Sequence, residues 1–224
     1  MTILTRANLI DGSFLSGLDM PAHLSWSDAD LERSLARTWD TRPHGAIWVF
    51  AYGSLMWNPL FDFQERQTAR LDGWHRSFCL RSVSGRGSLE RPGRVLALEP
   101  GGEVRGVALR LHDDQAAAEL RLLWTREMAG GDYHPLWTPV MLEDGTKVTA
   151  MAFVINPDRP LYDPDATAPT VARIAVEAAG VFGRNADYVH ALHDALAERG
   201  LQDPYVDAIV RELKALTPAP PKSA

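Results

Sequence analysis

Apolar positions recur every four residues at Leu31, Leu35 and Trp39, the stripe of an amphipathic helix. Ser25 or Ser27 is placed to cap it and Pro43 to end it. Before it, Met1 to Ala22 has no clean period. At Ile47 the pattern changes to a nearly unbroken apolar run, Ile47-Trp-Val-Phe-Ala-Tyr52, cut off by Gly53 and Ser54. That is the signature of a strand buried on both faces. Further strands are predicted over Arg76 to Ser82, Arg94 to Leu98, Val104 to Leu111, Trp137 to Leu142 and Val148 to Ile155. Glu99-Pro-Gly-Gly102 and Glu143-Asp-Gly145 read as turns between successive strands. Helices are predicted from a cap at Asp113 or Asp114 to about Met128, from Pro169-Thr170 to Gly180, from a cap at Asn185 to Gly200, and onward from Asp203-Pro204. The sum is one α+β domain whose short strands make an antiparallel or mixed sheet, curled or closed into a small barrel, with flanking helices. Residues 1–45 form an N-terminal extension with one helix, 46–216 the main domain, and the Pro-rich 217–224 a disordered tail.

Composition narrows the class. The chain has 224 residues, 46% hydrophobic and 23% charged, within the globular range. Its net charge of −6 argues against a general nucleic-acid binder. The single cysteine, Cys79, has no internal disulfide partner, and mid-strand it is expected to be buried and inert. No basic-then-apolar leader opens the sequence, and no apolar run reaches the length of a membrane span. A cytoplasmic protein without membrane association is expected, with a monomer as the default.

Glu127 is the carboxylate the pattern singles out. Leu120, Leu123, Trp124 and Glu127 fall at i, i+3, i+4 and i+7, so Glu127 shares the core-facing stripe. Burial there would raise its pKa and suit it to proton transfer near neutrality. The plain alternative is a helix-end carboxylate turned to solvent or paired with Arg126 or Arg121. A second feature is Tyr52-Gly53-Ser54-Leu55 at the end of the buried strand. Glycine there permits a sharp turn and close approach of a ligand, and free backbone N–H groups could hold a carboxylate or an oxyanion. An ordinary turn has the same sequence. Ser54 lacks the Gly-x-Ser-x-Gly elbow of a nucleophile. His190 and His193, three apart on a helix, lack a further ligand at matching spacing, and Gly85-Arg86-Gly87 has Glu90 where a dinucleotide loop needs its third glycine.

Taken together these stretches resemble the glutathione-specific γ-glutamylcyclotransferases, the ChaC-like family, and more closely its bacterial branch. Trp48-Val-Phe-Ala-Tyr-Gly-Ser-Leu-Met-Trp-Asn-Pro59 is similar to the opening strand and substrate loop. Gly73-Trp-His-Arg-Ser-Phe-Cys-Leu-Arg81, Arg86-Gly87 and Arg91-Pro-Gly-Arg-Val-Leu-Ala-Leu98 resemble the second block. Trp124-Thr-Arg-Glu-Met-Ala-Gly-Gly-Asp-Tyr133, with Pro135 and Trp137, resembles the block that carries the family's catalytic glutamate. Phe182-Gly-Arg-Asn-Ala-Asp-Tyr-Val189 is a weaker fourth match, so the resemblance spans roughly residues 47 to 200. Two departures stand out. Ala51 replaces a usual glycine beside the substrate loop, and Ser88-Leu89 replaces a common Thr-Pro.

The resemblance implies an intramolecular aminolysis of glutathione to 5-oxoproline and cysteinylglycine, with Glu127 as general acid and base. It implies substrate contacts from Tyr52, Gly53, Ser54, Leu55 and Tyr133, a small-molecule substrate, and no metal or other cofactor. Tyr133 would hydrogen-bond the substrate or the glutamate. Two rivals remain at this level: a cyclotransferase for other γ-glutamyl amines or amino acids, and a module that binds a γ-glutamyl metabolite without turning it over.

Overall fold

A computed structural model describes residues 4–217. Two short helices, α1 (Arg6–Ile10) and α2 (Ser13–Gly17), precede α3 (Asp28–Asp40). The strands β1 (Trp48–Ala51), β2 (Glu65–Ser82) and β3 (Gly93–Arg110) lead to α4 (Ala116–Glu127). The hairpin β4 (Tyr133–Leu142) and β5 (Lys147–Ile155) follows, then α5 (Ala168–Glu177). A small ribbon, β6 (Ala179–Gly180) and β7 (Gly183–Arg184), leads into α6 (Asn185–Ala197) and α7 (Pro204–Leu216). The first five strands close into a barrel in the order β1-β3-β2-β4-β5. Only the β1–β5 closure is parallel; the other pairings are antiparallel. β1 lies between β3 and β5, and Val49, Phe50 and Ala51 are fully buried, as an unbroken apolar run requires.

Several local expectations are corrected. The turn expected at Glu99 to Gly102 does not exist, because β3 runs straight through it. Gly101 and Gly102, at φ 113° and 72°, form an irregularity that faces Gly73 of β2, so both long strands bend together. β2 also begins at Glu65, well before the expected Arg76; only Ala69 and Leu71 of its first half are buried, which leaves little pattern to read. α4 is preceded by Gln115 with no side-chain cap, in place of Asp113 or Asp114. Asn185 is the first residue of α6 and not its cap: its amide bonds Arg94 N–H and C=O of β3, at 2.7 Å each. α5 starts at Ala168, with Pro169 inside its first turn, and ends at Glu177, short of Gly180. Asp203 does cap α7, and Ser27 caps α3 in a box with Asp30. Thr217 closes α7 as its C-cap, and the remainder of the expected tail, 218–224, lies outside the described residues.

The stripe of α3 packs on the barrel through Leu31 and Leu35, while Trp124 and Trp137 donate their indole N–H groups to Ser34 Oγ and Thr38 O. α4 is held against β5 by the edge of Trp124 on Phe153, with ring centres 5.4 Å apart. Cys79 is wholly buried and its thiol is pushed up to about 12 by burial. Among the described residues no helix is long and apolar enough to cross a membrane, and no group of three or more His, Cys, Asp or Glu is placed to hold a metal ion.

Candidate active site

Two connected cavities open where β1 ends and α4 ends. The inner one, about 30 Å³, is lined by Tyr52, Gly53, Ser54, Leu55, Glu127 and Tyr133 together with Leu96, Phe153 and Tyr188. All six residues singled out by sequence thus meet around one small space. The outer chamber, about 210 Å³, shares Ser54, Glu127, Tyr133 and Tyr188 with it.

The loop is shaped by hydrogen bonding. Beyond Ala51 the chain turns through Gly53 into a single 3₁₀ turn, Ser54–Met56. Met56 N–H is bonded back to Gly53 O at 2.9 Å, so the N–H groups of Ser54 and Leu55 lead the turn and, among the described residues, meet no backbone acceptor. A side chain at Gly53 would project toward Leu96 and the Tyr188 hydroxyl, 3.5 Å away, and would occupy the inner cavity. Ala51, by contrast, is fully buried opposite Val107 and lines neither cavity, so its extra methyl lies in the core.

Glu127 ends α4, and the chain reverses into β4 through Gly130 and Gly131. Gly131 has φ 66° and lies against the Trp26 ring, so a side chain there would meet both strain and a clash. The wheel reading of Glu127 holds: Leu120, Leu123 and Trp124 are 1% exposed, and the Glu127 side chain, 16% exposed, sits where that stripe runs out into the cavity. The plain alternative also holds in part, since Arg126 Nε is 2.9 Å from Glu127 Oε1. That contact is not aligned as a hydrogen bond, and Oε1 is buried without a donor. Burial raises the Glu127 pKa, with the Arg126 charge opposing.

Arg126, which sequence reasoning considered only as a neutralising partner, borders the site. Its side chain is 4% exposed, and it donates to Ser54 Oγ at 2.8 Å, to Pro59 O at 3.0 Å and to Asn58 O. One guanidinium therefore fixes the loop after β1 to the end of α4. A buried side chain five-way capable of donation suits that task, but nothing in the local sequence marks it. Tyr188 was also missed as a site residue, although it lay within the fourth resembling stretch. Burial pushes its hydroxyl up to about 12.

The tyrosines face the cavity with their protons committed. Tyr52 donates to Phe153 O at 2.6 Å, and Tyr133 donates to Leu96 O at 3.0 Å and not to Glu127. Burial, reinforced by the Glu127 charge, holds both hydroxyls well above their usual range. Arg76 supports the loop from below by donating to Tyr52 O at 2.8 Å. Asp132, at the rim of the outer chamber, is raised to about 6 by burial, with Arg159 opposing. Gly85 and Arg86 line the outer chamber. His193 lies on α6 beside Asp194 and Asp207, outside both cavities.

The barrel superposes on the crystal structure of a yeast γ-glutamyl cyclotransferase specific to glutathione with a TM-score of 0.70, over 77% of this chain and 97% of that one at 20% identity. At that identity the likeness establishes the fold. The glutathione-specific γ-glutamylcyclotransferase of Escherichia coli (strain K12) is 44% identical over 194 residues, 86% of this chain and 84% of that protein. The human glutathione-specific γ-glutamylcyclotransferase 1 is 30% identical over 179 residues, 77% of this chain and 81% of that protein. A model of the family described as ChaC-like protein matches residues 47–216, the whole barrel and the helices that follow it. By fold, by these relatives and by that match, the chain belongs to the ChaC-like family.

Proposed function

We propose that this protein is a glutathione-specific γ-glutamylcyclotransferase, with Glu127 as the group that moves the proton. The observation that carries the reading is a half-buried carboxylate, raised in pKa and without an aligned donor, facing a narrow cavity lined by a free-ended backbone turn. Relatives named for this activity support it. On this reading residues 46–216 are the main domain and 1–45 an N-terminal extension, a division supported by the family match over 47–216.

The reaction needs positioning more than force. The α-amino nitrogen of the γ-glutamyl group attacks its own γ-carbonyl carbon, and the C–N bond to cysteinylglycine breaks as the lactam ring closes. The nucleophile is tethered, so holding it near the carbonyl supplies much of the acceleration. At neutral pH the amine is an ammonium and cannot attack. Ionised Glu127 takes one proton from the ammonium and delivers it to the departing nitrogen; the second proton that the ring nitrogen sheds as the lactam forms leaves on the released amine as its ammonium, so no water or cofactor enters the balance. Backbone N–H groups of the Ser54–Leu55 turn donate to either the glutamyl carboxylate or the oxyanion. Tyr52 and Tyr133, their protons given to carbonyls, turn oxygen lone pairs toward the substrate ammonium.

The substrate assignment is tested by offering glutathione beside γ-glutamyl amino acids that lack the cysteinylglycine part. Preferential consumption of glutathione is expected. Selective consumption of the others would transfer the assignment to the broader cyclotransferase reading, and tight binding without consumption would transfer it to the binding-module reading.

Two further outcomes follow from this geometry. Glu127 acts as a base only when ionised, and burial lifts its pKa above the ordinary 4.5. The kcat/KM profile should therefore fall on the acid side along a one-proton limb centred above 4.5. A limb at or below that value would mean that another group sets it. Ser54→Ala removes one acceptor from Arg126 Nη2 but leaves its carbonyl partners, so turnover should drop less than about tenfold, the equivalent of one lost hydrogen bond. Near-complete loss with a trappable acyl adduct would indicate serine chemistry instead.

A further inference from the structure

The matched family region begins at residue 47, yet Leu4, Phe14, Leu18 and Met20 line the same chamber as Glu127 and Tyr133. The segment is fastened there at three places. Arg6 reaches both oxygens of Glu119, at 2.7 and 2.6 Å, and Glu119 is 3% exposed on α4, about two turns before Glu127. Phe14 stacks on Phe182, centres 6.2 Å apart and rings 6° from parallel. Ser84, in the loop after β2, donates its hydroxyl proton to Leu18 O. Leu9, Phe14 and Leu18 are buried with Ala129, two residues beyond Glu127.

Polarity across the chamber is divided. The N-terminal segment supplies an apolar wall, while Arg81, near the end of β2, and Arg86, in the loop after it, line the chamber. Arg81 Nε is buried without a hydrogen-bond partner among the described residues, and Arg86 lies 5.6 Å from the centre of the Tyr188 ring. An apolar wall with guanidinium groups nearby suits an amine that carries a small side chain and ends in a carboxylate, the chemistry of a short peptide. Ser54, Glu127, Tyr133 and Tyr188 line both cavities, so a γ-glutamyl group held at the inner one has this chamber beside it for its leaving amine.

We propose that the segment from Leu4 to Met20 is a specificity wall of the active site, recognising the departing amine through Phe14, Leu18 and Met20. This rests on the cyclotransferase reading above. A wall on the amine side affects binding of glutathione and of its amine product, but not of the lactam product, which lacks that amine.

The test uses the full chain with Phe14→Ala and, because Phe14 is buried and its loss could undo the segment, also Met20→Ala at a half-buried position. KM for glutathione should rise about fivefold or more in each while kcat moves less than about threefold, the signature of lost binding that is not specific to the transition state. Inhibition by cysteinylglycine should weaken in step, and inhibition by 5-oxoproline should not. Unchanged KM in both variants overturns the inference, as does equal weakening of both products, which would mean general loosening of the site. If the unaltered protein consumes no glutathione, the function reading itself fails; an active protein indifferent to both substitutions sinks only this inference.

Discussion

Glu127→Gln is expected to lower kcat by about 10² to 10⁴-fold, the range typical of a positioned general acid and base, while the protein stays folded. Glutamine keeps the length and the shape but cannot take a proton from the substrate ammonium. The structural cost is limited because Arg126 keeps its contacts to Ser54, Asn58 and Pro59. Burial disfavours the carboxylate charge, so removing that charge offsets part of the loss of the ion pair with Arg126. The melting temperature should fall, though less than when Arg126 is replaced, with each kcal/mol moving it about 2–4 °C in a chain of this size. Turnover within a fewfold of the unaltered enzyme would remove Glu127 from the mechanism.

Arg126→Met is expected to damage both stability and catalysis. Methionine fills part of the space, but three loop acceptors and the buried Glu127 lose their cation. Breaking a buried ion pair from one side costs about 3–5 kcal/mol, a large part of the stability of an ordinary domain. The charge of Arg126 opposes the rise in the Glu127 pKa, so its loss moves that pKa further up and carries the acid limb of kcat/KM to higher pH. Arg126→Lys distinguishes the two roles: it keeps the charge near Glu127 but not the fork that reaches Ser54 and Pro59 together. The acid limb should then stay close to its original position while KM worsens. Acid limbs that coincide in all three proteins would separate Arg126 from Glu127.

The sequence marks residues that meet at one cavity more clearly than it marks the strands around them. β1 was legible because both its faces are buried, and the α3 and α7 caps because Ser27 and Asp203 bond their own helices. Asn185 misled for the opposite reason: its amide serves β3, distant in sequence, so the local cap signal had a non-local use. The Gly101-Gly102 pair was read as a turn because one strand alone cannot reveal that its partner bends at Gly73. Glu127 stood out by sharing a stripe with Leu120, Leu123 and Trp124, whereas Arg126, one position over, has no periodic signature. The N-terminal segment showed no period at all, since α1 and α2 are five residues each and are held by Arg6 and Phe14 through tertiary contacts.

The most direct test follows both products over time by mass spectrometry, with chelator-treated protein and reduced glutathione. The account predicts 5-oxoproline and cysteinylglycine in equal amounts, each matching the glutathione lost, with no dependence on added metal. Free glutamate in place of 5-oxoproline would indicate attack by water and not by the substrate's own amine, and would contradict the intramolecular mechanism.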